Sequence, residues 1–144
     1  GISGGNYLKT MLRLAVNDQE RTIRVVNDQY GSATWSHRLA RQIQRLMESG
    51  ERGIFHATAE GYGTWYDLAA LFLEQMHVPH RLAPCTTEEY PTPAARPANS
   101  ILANQRLAEL GINVMADWRD DVKDFADTFR DRLLAEATGT ERRR

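Results

Sequence analysis

The sequence predicts an α/β domain in which helices flank a small sheet. Three observations indicate this class: segments with the apolar spacing of amphipathic helices alternate with short segments rich in β-branched residues, and turn residues separate the two kinds. The chain has 144 residues, of which 42% are hydrophobic and 26% charged. These values are ordinary for one globular unit with a core, so we expect residues 1–144 to form a single domain.

The first part of the chain alternates helix with strand. Asn6 is placed to cap a helix over residues 7–17, and the β-branched run at residues 22–26 predicts a strand. A second helix follows, for which Ser32 or Thr34 can provide the cap. In this helix Leu39, Ile43, Leu46 and Met47 recur at helical spacing.

The middle of the chain repeats this alternation. Residues 53–59 predict a second strand. Thr64 and Asp67 have the spacing of a capping pair at the start of a third helix. Residues 81–86 predict a weak strand, which Pro84 would confine to the edge of a sheet because proline cannot donate to a ladder.

The last part of the chain predicts a short strand at residues 100–102, a short helix at residues 104–110 and a final helix capped by Asp117. The stripe that the final helix is expected to bury consists of Trp118, Val122, Phe125, Phe129 and Leu133. The first turns of this helix also hold Asp120, Asp121 and Asp124. Acids there complement the positive end of a helix, so we interpret them as structural. The four predicted strands would form one thin sheet.

Charge and cysteine content exclude several classes of partner. A net charge of −1 and a pI near 6.5 provide no positive field for nucleic acid or an anionic membrane. We expect neither a membrane span nor a signal peptide, because no apolar run has the required length. Cys85 is the sole cysteine, which fits a cytoplasmic protein. We expect the basic tail at residues 141–144 to be a solvated end.

Residue chemistry assembles neither a catalytic site nor a metal site. Gly61 and Gly63 precede a helix but lack the third glycine of a dinucleotide-binding fingerprint. His77 and His80 lie on either side of a proline, so they cannot share one helical face around a metal ion. We therefore expect no catalytic residue, no cofactor ligand and no metal ligand in this chain.

Three tryptophans, Trp35, Trp65 and Trp118, each lie at a predicted helix start. We interpret them as anchors in the core or between domains. Trp35 lies beside the polar turn at residues 27–32 and could instead line a pocket.

Residues 90–100 hold three of the five prolines and one arginine, Arg96. Proline fixes its own φ and restricts the residue before it, so this segment predicts a stiff loop that presents one guanidinium. Two interpretations remain open. Arg96 binds an anionic ligand through its planar fork of donors, or it pairs with an acidic neighbour while the prolines shape the loop. Together with residues 4–6 and 27–34, this loop has the polar character of a binding surface.

The same three loops carry motifs of a known family. Residues 5–15 read Gly-Asn-Tyr-Leu-Lys-Thr-Met-Leu-Arg-Leu-Ala, residues 26–34 contain Asp-Gln-Tyr-Gly-Ser-Ala-Thr, and residues 90–100 read Tyr-Pro-Thr-Pro-Ala-Ala-Arg-Pro-Ala-Asn-Ser. They resemble, in turn, the segment after the catalytic region, the D-Q-x-G-x-P-T loop and the Y-P-T-P-A-x-R-P-x-N-S signature of the dTDP-4-dehydrorhamnose reductases. The third motif matches at every fixed position, whereas Ala33 stands where the second usually has proline.

This resemblance implies a fold and an activity. The family belongs to the extended short-chain dehydrogenases/reductases, and this chain resembles their C-terminal substrate-binding part, a small sheet with flanking helices beside a Rossmann-type domain. The whole enzyme would reduce the C4 ketone of dTDP-4-dehydro-L-rhamnose with NADPH or NADH. The family's catalytic pair is Tyr-x-x-x-Lys, and no tyrosine of this chain has lysine four residues later. The chain would therefore be a sugar-nucleotide-binding piece that is inactive alone and binds no cofactor.

The resemblance also implies roles for four residues. Arg96 would face the diphosphate of the dTDP-sugar, while Gln29 and Tyr30 would line the pocket for the base or the sugar. Asn6 would either cap its own helix or meet the nucleotide. The implied partners are the dTDP-sugar substrate and an N-terminal NADP-binding domain that is absent from this chain. The resemblance also allows a homodimer, in which the partner is a second copy.

An alternative of a different class stays open. The regulatory subunit of methionine adenosyltransferase resembles the same fold and acts as a non-catalytic binding partner. An intact glycine-rich loop and Tyr-x-x-x-Lys pair upstream of Gly1 would favour the reductase, and their loss would favour a regulatory subunit.

Overall fold

The computed structural model describes residues 2–139, so the basic tail that we expect to be solvated lies outside the described residues. The helices are α1 (Tyr7–Asn17), α2 (Ser36–Ser49), α3 (Trp65–Gln75), α4 (Gln105–Glu109) and α5 (Trp118–Ala137). The strands are β1 (Thr22–Val26), β2 (Tyr30–Gly31), β3 (Gly63–Thr64) and β4 (Arg81–Cys85). No helix of these residues is both long and apolar enough to cross a membrane.

The predicted α/β class is confirmed, but the strands do not form one sheet. β1 and β4 pair in parallel, with Thr22 opposite Arg81 and Val26 opposite Cys85. The two-residue strands β2 and β3 form a separate antiparallel pair. Each described strand is therefore an edge strand, and Pro84 is tolerated in β4 for that reason.

Three helices form the core with β1. α1, α3 and α5 pack against one another, and α3 also packs on β1. Large side chains at the centre are Leu12, Leu73, Phe72, Phe125 and Leu133. Because α5 supplies the predicted stripe, with Phe129 half-buried and the other four residues buried, this part of the prediction is confirmed.

Helix caps also follow the sequence, except at α2. The Asn6 side chain accepts a hydrogen bond from the Lys9 backbone N–H at 3.0 Å, and Thr64 and Asp67 form a reciprocal capping box. The prediction that Ser32 or Thr34 caps α2 is wrong. The Ser32 hydroxyl donates to the Gly61 carbonyl, and the Thr34 hydroxyl accepts from the Ala59 N–H.

The apolar residues at helical spacing in α2 do not form a buried stripe. Ile43 and Met47 are 49% and 78% exposed, and the side chain that α2 buries completely is Gln42. The Gln42 amide donates to the carbonyl of Ile112 at 3.0 Å and accepts from the N–H of Val114 at 2.7 Å. A polar side chain is buried here because it satisfies two backbone groups of the segment before α5.

Residues 53–59, predicted as a strand, form none. The side chain of Asn104 bonds both backbone groups of Thr58, at 3.0 and 2.7 Å. The guanidinium of Arg106 donates to the carbonyls of Arg52 and Ile54. These side chains occupy backbone groups that a neighbouring strand would otherwise bond, and Ile54 is left 85% exposed. Residues 100–102 likewise form no strand; only a single bridge, from Asn99 to Tyr30, lies beside them.

Candidate functional site

Two of the three predicted binding loops, residues 27–34 and 90–100, line a cavity of about 380 Å³. Its walls come from β2 and the residues after it, the start of α3 and the start of α5. The proline-rich segment at residues 90–100, called the proline loop below, forms the remaining wall. Side chains that matter for its chemistry are Gln29, Tyr30, Trp65, Arg96 and Trp118. Three of the four residues predicted to bind substrate therefore line one cavity.

The proline loop is held over this cavity by the polar turn at residues 27–31. At one end of the loop, the Asp28 carboxylate accepts from the Thr87 hydroxyl at 2.7 Å and from its backbone N–H. At the other end, the Tyr30 N–H donates to the Ala98 carbonyl at 2.8 Å, and the Ser100 N–H donates to the Tyr30 carbonyl at 2.9 Å. Both ends of the loop therefore rest on residues two positions apart in sequence.

Arg96 lies exposed at the cavity and has no hydrogen bond or ion pair to any of residues 2–139. The alternative in which it pairs with an acidic neighbour finds no support in this part of the chain. A guanidinium keeps its charge and its five donors at any physiological pH. The cavity thus has a permanent cation whose donors are available to an anionic group.

Gln29 and Tyr30 contribute in different ways. The Gln29 amide donates to the Thr87 hydroxyl at 3.0 Å and accepts from the Trp65 indole at 3.2 Å, so its polar atoms fix the cavity wall. Tyr30 is 43% exposed, and its ring lies edge-on to that of Tyr62 at 6.4 Å between centroids. Its side chain is the more accessible of the two.

Trp118 is a wall residue that the sequence predicts as an anchor in the core or between domains. It is 3% exposed, and its indole nitrogen is buried without a hydrogen-bond partner among residues 2–139. Gly63 makes room for this ring, since a Cβ at that position would lie 2.8 Å from Cζ2 of Trp118. Trp118 therefore contributes a buried ring to the cavity wall, with its indole nitrogen shielded from solvent.

A second cavity of about 250 Å³ adjoins the first and shares Ala33, Trp65 and Leu68 with it. Its other walls include Asn6, Tyr7, Trp35, Asp121 and Phe125. Asn6, the fourth predicted substrate residue, therefore caps α1 and also lines a cavity, but not the one that contains Arg96.

Tyr7 fixes the boundary between the two cavities. Its hydroxyl donates to the Trp65 carbonyl at 2.9 Å, and the two rings meet edge-on at 4.8 Å. Burial, and to a lesser degree the neighbouring Cys85, raise the pKa of Tyr7. The phenol stays protonated at neutral pH and acts as a wall rather than as an acid–base group.

Four helices begin at these two cavities. Residues at the starts of α1, α2, α3 and α5 line them: Tyr7, Trp35, Trp65 and Trp118. Side chains of Asn6, Thr64 and Asp117 already accept hydrogen bonds from backbone N–H groups at the starts of α1, α3 and α5, and acids in the first turns of α3 and α5 complement their positive ends. All three tryptophans predicted as anchors are cavity walls, and their shared position at helix starts is the sequence signal that could have indicated this.

The described residues offer little to a metal ion. Residues 2–139 contain no group of three or more histidine, cysteine or acidic side chains that could hold one. Cys85 is buried and unpaired in β4. The site therefore combines aromatic walls with the unpaired guanidinium of Arg96.

Comparison with known proteins identifies relatives along nearly the whole chain. A family model described as the RmlD substrate binding domain matches residues 1–131. The spore coat polysaccharide biosynthesis protein SpsK of Bacillus subtilis is 36% identical over 125 residues, which cover 87% of this chain and 43% of that protein. A dTDP-4-dehydrorhamnose reductase of Mycolicibacterium smegmatis is 36% identical over 126 residues, which cover 86% of this chain and 38% of that protein.

Solved structures agree with the sequence relatives. A dTDP-4-dehydrorhamnose reductase from Clostridium acetobutylicum superposes with a TM-score of 0.84 at 33% identity, over 89% of this chain and 45% of that one. The enzyme of the same description from Bacillus anthracis, solved in complex with NADP, gives 0.82 at 30% identity, over 88% and 44%. This chain spans less than half the length of these relatives, and its fold is that of the corresponding part of extended short-chain dehydrogenases/reductases. On the match of the family model, which covers 131 residues, the chain belongs to the RmlD substrate binding domain family.

Proposed function

We propose that this chain is the sugar-nucleotide-binding domain of a dTDP-4-dehydrorhamnose reductase, which reduces dTDP-4-dehydro-L-rhamnose to dTDP-L-rhamnose with NADPH. The observation that carries the proposal is Arg96, an unpaired guanidinium at a cavity lined by two of the family's three motifs, those at residues 26–34 and 90–100. The two phosphates of a dTDP-sugar are the acceptors that its planar fork of donors fits best.

The remaining walls suit the rest of such a ligand. Tyr30, Trp65 and Trp118 provide aromatic surface on which a base or a sugar ring can pack.

The residues of this chain indicate which steps it can perform: substrate binding, but neither cofactor binding nor proton donation. None of its tyrosines has the lysine partner of the family's catalytic pair, and neither glycine of the Gly61–Gly63 turn belongs to a dinucleotide fingerprint. We infer that the cofactor and the proton donor come from an N-terminal NADP-binding domain. In this arrangement Asn6, Gln29, Tyr30 and Arg96 form one wall of the substrate cleft, and this chain has no catalytic residue of its own.

Substitution of Arg96 by alanine in the intact gene product tests the assignment. We expect the affinity for dTDP-L-rhamnose to fall about 10- to 100-fold, the loss typical of a hydrogen bond to a charged group, while the affinity for NADPH is unchanged. Isothermal titration calorimetry measures both constants. Arg45→Ala is the control, because Arg45 is an exposed arginine of α2 that lines neither cavity. Equal dTDP-L-rhamnose affinity in wild type and Arg96→Ala would remove Arg96 from the site.

Steady-state turnover distinguishes the reductase from a regulatory subunit. The intact gene product should oxidise NADPH only when dTDP-4-dehydro-L-rhamnose is present. Tight binding of the nucleotide sugar without any oxidation would instead support the non-catalytic alternative.

A further inference from the structure

Arg96 lies in a segment that is exposed along its whole length. All residues from 88 to 100 are exposed. Within the described part of the chain, residues 91–97 make no hydrogen bond or ion pair to any residue outside this range, and the bond from the Thr92 hydroxyl to the Ala94 carbonyl lies within it. The prolines restrict bending inside the segment. The position of Arg96 at the cavity therefore depends on how the two ends of the proline loop are attached.

The first attachment depends on the carboxylate of Asp28. Its two oxygens accept from the Thr87 backbone N–H at 3.0 and 2.9 Å, and one of them also accepts from the Thr87 hydroxyl at 2.7 Å. The Gln29 amide donates to the same hydroxyl. Thr87 begins a tight turn that leads into the loop, in which the Tyr90 N–H donates to the Thr87 carbonyl at 3.3 Å. Hydrogen bonds to an ionised group are about twice as strong as neutral ones, so Asp28 contributes most to this attachment.

The second attachment consists of backbone groups next to a glycine. Tyr30 bonds Ala98 and Ser100 through its N–H and its carbonyl. A Cβ at Gly31 would lie 2.8 Å from Oγ of Ser100, so this position has to stay small. Tyr30, Gly31 and Ser100 line the first cavity, whereas Asp28 lines neither cavity. Substitution of Asp28 therefore alters the attachment of the loop without removing a cavity wall.

We propose that Asp28 is a positioning residue for the nucleotide sugar: by holding Thr87, it keeps the proline loop where Arg96 meets the diphosphate. This inference rests on the proposed function, because it takes Arg96 to bind the diphosphate. A loop that is already in place loses little conformational freedom when the ligand binds, whereas a loop released at one end has to be ordered at a cost in affinity. Asp28 thus acts through Arg96 and does not contact the ligand.

The charge of Asp28 acts in the opposite direction. A carboxylate and a diphosphate repel each other, so loss of the charge alone would strengthen binding of the nucleotide sugar. Loss of the positioning role weakens the same binding. The sign of the change in affinity therefore separates an effect of charge from an effect of position.

Asp28→Ala in the intact gene product, made in the wild-type and in the Arg96→Ala background, tests the inference. In the wild-type background we expect the affinity for dTDP-L-rhamnose, measured by isothermal titration calorimetry, to fall about 5- to 20-fold. In the Arg96→Ala background the same substitution should change the affinity by less than about twofold, because there is no guanidinium left to position. A residue that only stabilises the fold would have the same effect in both backgrounds.

Two further variants sharpen the test. Thr87→Val removes the hydroxyl that bonds both Asp28 and Gln29, and it should show the same pattern with a smaller loss, because the Thr87 N–H stays bonded. Asp18→Ala is the matched control. Asp18 is an exposed acid that also accepts from a backbone N–H, that of Arg21, and it lines neither cavity. Its loss should leave the affinity for dTDP-L-rhamnose within about twofold of wild type.

The other outcomes contradict the inference in distinguishable ways. If Asp28→Ala binds dTDP-L-rhamnose as tightly as wild type or more tightly, while Arg96→Ala binds it weakly, the positioning role is wrong and the proposed function stands. If Asp28→Ala weakens binding by the same factor in both backgrounds, Asp28 stabilises the domain as a whole and does not act through Arg96. If wild type does not bind dTDP-L-rhamnose, the proposed function fails together with the inference.

Discussion

The sequences of α5 and α2 both place apolar residues at helical spacing along one face of the helix. Only α5 buries these residues. Trp118, Val122 and Phe125 of α5 lie in the core against α1 and α3. α2 instead contacts the rest of the domain through polar side chains: Gln42 bonds residues 112 and 114, and Arg38 pairs with α5. The difference shows that periodicity predicts a helix, whereas burial of its stripe requires a packing partner.

The strongest test of this comparison truncates one apolar side chain in each helix. Phe125→Ala should lower the free energy of unfolding by about 3–5 kcal/mol, because it removes a ring that packs on Trp35, Phe72 and Phe129. Met47→Ala, at an exposed position of α2, should change it by less than about 0.5 kcal/mol. Urea denaturation of both variants measures the two values. A large loss for Met47→Ala would mean that the face of α2 is covered in solution.

A second test addresses the polar attachment of α2. Gln42→Leu leaves the Ile112 carbonyl and the Val114 N–H without their partner, and each unsatisfied buried group costs about 1–3 kcal/mol. We expect a loss of more than about 2 kcal/mol in unfolding free energy, although leucine is the more hydrophobic residue. Gln44→Leu, at an exposed position of the same helix, is the matched control and should be close to neutral. Stabilisation by Gln42→Leu would show that apolar contacts, not the amide, attach α2.

The smallest expected effect is in the pH dependence of two acids. Burial raises the pKa of Asp121 in spite of its contact with Arg38, whereas the Thr87 hydroxyl and backbone N–H lower the pKa of Asp28. The stability associated with Asp121 is therefore present below the unfolded pKa of about 4 and is lost as the pH rises through its raised value. That associated with Asp28 is present above the unfolded pKa and is lost as the pH falls through its lowered value.

Unfolding free energies between pH 3 and pH 7 measure these opposite slopes. Relative to wild type, Asp121→Asn should gain stability as the pH rises, and Asp28→Asn should lose it. Parallel profiles for the two variants would contradict the assignment of opposite environments to the two carboxylates.

Much of the fold could be predicted from local chemistry. The sequence predicts the helix caps and the apolar stripe of α5 because both depend on residues close together in the chain. The caps are Asn6, Thr64 and Asp117. The strand predicted at residues 53–59 fails for a tertiary reason, since Asn104 and Arg106 bond its backbone from about 50 positions away. Two-residue strands such as β2 are too short to show the alternating pattern of residues from which a strand is predicted.

In the candidate site, too, some features follow from the local sequence and others depend on tertiary packing. The prolines around Arg96 indicate a stiff loop in the sequence itself. The cavity positions of Trp118 and Asp121 depend instead on what α5 packs against. An acid in the first turn of a helix is ordinarily solvated, so nothing local indicates that Asp121 is buried while Asp120 and Asp124 are exposed.

The proline loop, which presents Arg96, is attached to the domain at its two ends and contributes no side chain to the core. Thr87 and Ala98 are attached within three positions of each other on the turn after β1, so the residues between them span almost no distance and contribute no side chain to the core. Closing a longer loop across the same gap would cost only a fraction of a kcal/mol, about 0.6 for each doubling of its length. A lineage could therefore exchange this segment, and with it the reach of the arginine, to accommodate a different nucleotide sugar without rebuilding the domain beneath it.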